Sequence, residues 1–270
     1  MEAGFFVDRL GVCVHPSSEE MGRTVADVVA QQLRSALSTR TSVRLAFAAA
    51  ASQTSFLQHL IEQRGIDWHR VEAVHLDEYV GLPPNHPSSF RRWLTIHLFE
   101  QVPIGRVEFL NGGVWDLAAE CSRYEAILRE RPPDFAFLGI GENGHVAFND
   151  PHEANFHESR LVKVVELDAV SRAQQVRDGA FTDIDDVPVK ALTLTIPALM
   201  AADSISVIVS GAPKARAVQR TLSGSVSSRC PASILRRHAK ALLHVDEDAF
   251  RLAREGFRSY AEMTDADVES

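Results

Sequence analysis

The stretch DFAFLGIGENGHVAFNDP, residues 134 to 151, decides how this chain reads. Asp134 to Leu138 is a short apolar run between Pro133 and Gly139, as a buried strand requires. Gly139, Gly141 and Gly144 follow in G-x-G-x-x-G spacing, and Asn149, Asp150 and Pro151 close the segment. A dinucleotide fingerprint needs a helix that opens among the glycines and an acid about 20 residues further on. Glu166 loosely meets the distance. However, the residue before Pro151 is biased away from helical backbone, so a helix starting here would end almost at once. The glycines therefore read as a flexed loop at the carboxyl end of a strand, presenting Glu142, His145 and Asp150. A histidine flanked by acids can be held in one tautomer and can donate a proton near neutral pH.

On both sides of this stretch, short runs of Val, Ile, Leu and Phe alternate with segments whose apolar residues recur at three and four positions. The pattern predicts strands at Leu10–Val14, Val43–Ala48, Val71–Leu76, Val107–Leu110, Asp134–Leu138, Val162–Leu167, Ser204–Val209 and Ala241–Val245. Helices are expected at Ser18–Leu37, Ser52–Arg64, Ser88–Phe99, Leu117–Glu130, Lys214–Leu222 and Asp248–Glu262. Such alternation is the α/β signature: one mainly parallel sheet with helices on both faces, and ligands in the crevice beyond the strands' carboxyl ends. No linker or internal repeat interrupts the units, so residues 1–262 are expected to form a single domain. Residues 263–270, acidic and polar, are expected to be a flexible tail.

Composition narrows the classes. The 270 residues are 45% hydrophobic and 24% charged, average for a folded globular protein. With 28 Lys and Arg against 36 Asp and Glu, the formal net charge of −8 argues against a surface for nucleic acid. Three cysteines at long, unequal spacings suit a reducing, cytoplasmic setting better than a disulfide framework. No apolar run is long enough for a membrane span.

Three further strand ends carry chemistry. Val71 to Leu76 runs out into Asp77, Glu78 and Tyr79, and a carboxylate there can take a proton from carbon if burial raises its pKa. Ser204 to Val209 runs into Ser210, Gly211, Ala212, Pro213 and Lys214; backbone N–H groups and a lysine at a helix start form an anion site suited to phosphate. The turn Ala48 to Ser52 lacks glycine, and Ser52 is its one hydroxyl and expected N-cap. His152 and His157 fit no zinc spacing, and no metal is expected.

Taken together, LDEYVGL at 76–82, HPSSF at 86–90, LGIGENGHVAFNDP at 138–151, ALTLTIPALM at 191–200 and SGAPKARAV at 210–218 resemble the glucosamine-6-phosphate deaminase family. The resemblance runs from about residue 10 to 250. It implies an enzyme without a cofactor that opens the ring of an amino sugar phosphate, isomerises aldose to ketose and releases ammonia. It gives Asp77 the proton shuttle between C2 and C1, His145 the ring opening, Asp150 the support of that histidine, and Lys214 the phosphate. Glu142 and Asn143 complete the implied catalytic set; Ser52, Ala50, Ala51, Gly141, Arg172 and Gln175 join Lys214 in the substrate-binding set.

The chain departs from the family pattern. Asn143 stands where Asp is usual, which Glu142 could offset if the loop turns it inward. Asp150 stands where Glu is common, and alanines replace a Thr-Gly phosphate loop. Gln175 or a neighbour stands where a phosphate-gripping arginine is expected, with Arg172 and Arg177 near enough to substitute. The family's allosteric residues are not recognisable. The related 6-phosphogluconolactonases continue their glycine loop differently and need no carbon base at Asp77. A transcriptional sugar-phosphate sensor would carry a DNA-binding module, for which the first strand at Leu10 leaves no room; a non-catalytic sugar-phosphate-binding homologue is the remaining alternative, on account of Asn143 and the alanine loop. A homo-oligomer and the choice between gluco and galacto epimers are left open by the sequence.

Overall fold

The computed structural model describes residues 4–255. Numbered in chain order, the strands are β1 Phe5–Val7, β2 Leu10–His15, β3 Val43–Phe47, β4 Val71–His75, β5 Asp77–Tyr79, β6 Arg106–Glu108, β7 Phe135–Leu138, β8 Val162–Glu166, β9 Lys190–Leu194, β10 Ser204–Val209 and β11 Ala241–Asp246. The helices are α1 Ser18–Thr39, α2 Thr54–Ile61, α3 Phe90–Leu94, α4 Leu117–Glu130, α5 Ala169–Arg177, α6 Ile196–Met200, α7 Ala215–Ser223 and α8 over residues 247–255. The rest of the helix expected to Glu262, and the expected tail, lie outside the described residues.

Eight strands form one sheet in the order β1-β2-β11-β10-β7-β3-β4-β6, parallel throughout except for β1, which pairs antiparallel with β2. Side chains alternate across it as the pleat demands. In β3, Val43, Leu45 and Phe47 enter one core with α1 and α2, while Ala46 faces the other with α4, α7 and α8. The chain winds outward from β3 through β4 to β6, then returns to β7 and winds the other way through β10 and β11. The order therefore reverses between β3 and β7, where open α/β sheets hold their ligands.

The single mainly parallel sheet expected from sequence is joined by a second one. Strands β5, β9 and β8 make a three-stranded antiparallel sheet, with Asp77 opposite Thr193. Leu76 is the joint between them: its N–H donates to Phe47 O at 3.2 Å in the large sheet, and its carbonyl accepts from Leu194 N at 2.8 Å in the small one. Asp77 thus lies just past the end of β4 and opens β5.

Helix boundaries follow their caps. Ser17 accepts from Glu20 N at the start of α1, and Asp116 accepts from Ala119 N at the start of α4. The helix expected from Ser52 opens as a 3₁₀ turn at Ala51–Gln53 and becomes α-helical only at Thr54, in α2. Ser52 is not its cap: Ala50 holds that position without a side-chain bond, because Ser52 lies inside the turn. The expected helix Ser88–Phe99 starts after its cap Ser89 and widens into a π-helical turn at Thr95–Phe99. Pro213 tightens the start of the expected Lys214 helix into a 3₁₀ turn at Ala212–Lys214 ahead of α7. Cys13, Cys121 and Cys230 are buried and none is in a disulfide. Among the described residues, no helix is long and apolar enough to cross a membrane.

Candidate active site

A cavity of about 520 Å³ opens at the reversal point between β3 and β7. Its wall combines four strand ends: Ala48 to Ser52 after β3, Asp77 after β4, Gly139 to Gly141 with His145 after β7, and Ser210 with Lys214 after β10. The end of α5 completes it with Gln174, Gln175 and Asp178.

Asp77 is 7% exposed. Burial, and then the neighbouring Glu78 charge, push its pKa up to about 8. Glu78 points away, into the start of α3, where it accepts from Ser89 Oγ at 2.8 Å and from Phe90 N and Arg91 N at 3.2 and 2.9 Å. Burial raises the Glu78 pKa against those donors. Behind it His75 Nε2 stands 4.0 Å from Glu78 Oε2; burial and Arg91 lower the His75 pKa to about 3, so the ring is neutral.

His145 is braced on one edge. Its Nδ1 lies 2.9 Å from Asn143 Oδ1, 3.0 Å from Asp150 Oδ1 and 3.0 Å from Ser171 Oγ. Asp150 is fully buried, which alone would raise its pKa, but bonds from His145, Asn143 and Ser171 hold it well below the usual carboxylate range. Gly141 packs flat on the imidazole: a Cβ there would fall 2.1 Å from Cε1 and 2.3 Å from Nε2. Ala147, two residues on, adopts a left-handed φ of 47°, a sparsely populated conformation often found beside functional groups.

At the other end, Gly211 takes φ +90°, and Asp246 grips its N–H with both carboxylate oxygens at 3.0 Å, which aims the turn carrying Lys214. Burial lowers the Lys214 pKa, and Asp178 and Glu142 oppose that.

The cavity thus collects Asp77, His145, Lys214, Ser52, Ala50, Ala51, Gly141 and Gln175, with Asn143 and Asp150 immediately behind His145. Two expectations fail. Arg172 is not in the wall: its guanidinium is held by Val187 O and Ile184 O on the far side of α5. Glu142 is not turned toward His145, because Arg177 pairs with it at 2.6 Å; that pair also occupies Arg177. Sequence reasoning missed Asp168, Ser171, Gln174 and Asp178. The spacing of Asp168 and Ser171 is that of an N-cap with its third helical residue, and could have marked the start of α5.

Asp150, His152 and Asp168 bring ligand atoms within 4.8 Å of one another. Those atoms are engaged: Asp168 caps α5, His152 Nε2 bonds Glu166 O, and Asp150 receives the His145 network.

The model for glucosamine-6-phosphate isomerases/6-phosphogluconolactonase matches residues 16–244. Glucosamine-6-phosphate deaminase of Lactobacillus delbrueckii subsp. bulgaricus is 32% identical over 243 residues, 90% of this chain and 99% of that protein. The Bacillus cereus protein of the same name is 33% identical over 246 residues, 91% of this chain and 90% of its own length. Among solved structures, a monomeric glucosamine-6-phosphate deaminase superposes with TM-score 0.82 at 30% identity, covering 89% of this chain and 99% of that one. A 6-phosphogluconolactonase from Thermotoga maritima, at TM-score 0.70 and 20% identity over 88% of this chain and 98% of its own, shares the fold.

Proposed function

The chain belongs to the family of glucosamine-6-phosphate isomerases and 6-phosphogluconolactonases, and from that premise we propose that it is an isomerising deaminase. The proposed reaction converts glucosamine 6-phosphate, or a close 2-amino-2-deoxyhexose 6-phosphate, and water to fructose 6-phosphate and ammonia.

The observation that supports it most is Asp77: a buried carboxyl with a pKa near 8, in one cavity with a braced histidine and a half-buried lysine. In this reading the 6-phosphate lies against Lys214, Ser52 and the turn at Ala50 and Ala51. His145, through Nε2, moves the proton that opens the ring at O5. Asp77 then takes the C2 proton, giving an enolamine, and returns it to C1. The resulting C2 iminium adds water and expels ammonia, leaving the ketose. Gln175 offers hydrogen bonds where an arginine would offer charge, so Lys214 supplies the cavity's positive charge against the phosphate. One chain provides this whole set, so the chemistry needs no homo-oligomer, and the protein is expected to work in the cytoplasm.

The alternative is lactone hydrolysis, which involves no carbon-bound proton. The test is release of ammonia and fructose 6-phosphate from glucosamine 6-phosphate, with exchange of the C2 hydrogen into heavy water. Rapid hydrolysis of 6-phosphogluconolactone without C2 exchange would establish the lactonase instead. Binding of the amino sugar phosphate with neither reaction would indicate a sensor.

A further inference from the structure

The three groups around Nδ1 of His145 are all acceptors. Ser171 spends its hydroxyl proton on Asp150 Oδ1, so its oxygen offers the ring a lone pair. The proton of a neutral imidazole therefore rests on Nδ1, and Nε2 keeps the free electron pair. Of the three, Asn143 is the one that can reverse, because its amide presents an acceptor in one orientation and two donors in the other.

What orients that amide is the pair of carboxylates at its NH₂. Asn143 Nδ2 donates to Asp150 Oδ1 at 2.9 Å and to Asp168 Oδ2 at 3.0 Å. A flipped amide would press its oxygen on two carboxylates and turn its NH₂ toward the His145 backbone N–H, which now donates to Oδ1 at 3.0 Å. Asp168 is itself held at two points: its Oδ1 accepts from Ser171 N at 2.7 Å as the cap of α5, and its own N–H donates to Asp150 Oδ2 at 3.2 Å. Helix α5 thus reaches the imidazole through two side chains.

We propose that Asp168 is a positioning residue for His145: through the Asn143 amide it holds the ring in the Nδ1–H tautomer, with Nε2 as the basic nitrogen. The arrangement lets an asparagine serve where a carboxylate would add a third negative charge beside Asp150 and Asp168. The inference rests on His145 as the ring-opening group, yet the tautomer can be read without any substrate.

The experiment compares wild type, Asp168→Asn and the double variant Asn143→Asp/Asp168→Asn by ¹⁵N NMR of labelled histidine and by steady-state kinetics with glucosamine 6-phosphate. Asp168→Asn keeps the shape and the capping oxygen but sets an NH₂ against the NH₂ of Asn143. It is expected to shift His145 toward the Nε2–H tautomer and to lower kcat roughly 10- to 100-fold, as loss of a group orienting a functional histidine does, with KM little changed. The double variant puts a carboxylate on position 143 that accepts from both neighbours, and should restore tautomer and kcat together. If Asp168→Asn proves too unstable, Asp168→Ser keeps a capping oxygen without the second acceptor and should move the tautomer the same way. An unchanged tautomer in the folded single variant overturns the proposal, as does a kcat loss that the double variant leaves unrepaired. A wild type that shows the Nδ1–H tautomer but no deaminase turnover overturns the functional assignment alone.

Discussion

Two aspartates of the same site are buried almost equally and are driven in opposite directions. Asp77 is 7% exposed and Asp150 not at all, yet the first is pushed up to about 8 and the second held well below the usual carboxylate range. The difference lies in what faces each carboxylate. Asp77 has a like charge beside it and, among the described residues, no hydrogen-bond donor to its oxygens. Asp150 receives His145, Asn143, Ser171 and the Asp168 N–H. Desolvation favours the proton in both places; donors decide whether it stays. One acid is thus prepared to exchange a proton and the other to remain an anion.

Removing the exchangeable proton should have the largest effect. Asp77→Asn is expected to lower kcat roughly 1,000-fold, within the usual range for a general base, and to abolish C2 hydrogen exchange while the sugar phosphate still binds in calorimetry. Wild-type-like exchange in this variant would end its role as carbon base.

The fixed anion should matter to the fold instead. Asp150→Ala strands several buried donors, and urea unfolding at neutral pH should show a loss of about 3 kcal/mol, the scale of breaking a buried charged network. A loss under 1 kcal/mol would mean that the network contributes little to stability.

Stability against pH separates the pair again. Between about pH 4 and 8 only the folded chain keeps the Asp77 proton, so this group makes stability fall as pH rises through that window, and the full penalty persists above it. Asp77→Asn should therefore melt higher than wild type, by a margin that grows from pH 5 to pH 8. His75 and His244, lowered to about 3 mainly by burial, act with the opposite sign: between pH 6.5 and 3 only the unfolded chain takes up their protons, and stability falls as pH falls. A melting difference that does not change with pH would remove the case for a protonated Asp77.

The smallest effect is expected from Glu78→Gln, which deletes the like charge and leaves the burial. The acidic limb of kcat/KM, which reports the free enzyme, should move to lower pH relative to a wild-type limb near 8. A limb that stays in place would assign the shift to burial alone.

Much of this was legible in the sequence because strand ends are. Apolar runs bounded by Gly, Pro and charge marked β3, β4, β7 and β10, and with them the segments carrying Ser52, Asp77, His145 and Lys214. The short antiparallel sheet was not legible: β5 is three residues long and charged, and its pairing with β9 crosses more than a hundred positions. The failures at Arg172 and Glu142 share a cause. Proximity in sequence says nothing about which side of a helix faces a cavity, and α5, AVSRAQQVR, buries polar residues and carries no apolar stripe to mark it as a helix. For the same reason Asp168 and Ser171 went unseen, although they lie against the histidine that the glycine loop announced.

The joint at Leu76 has a mechanical consequence. Lys214, Ser52 and the glycine loop hang from the large sheet, whereas Asp77 starts the small one, and Leu76 bonds to both. A molecule gripped at one end by Lys214 and touched at the other by Asp77 would act as a strut across the seam. The amides of Leu76 and Leu194 should then exchange with solvent more slowly when a sugar phosphate is bound, while those deep in β10 and β11 stay as they were. Such a seam also gives the fold two separately adjustable halves, one that grips and one that reacts.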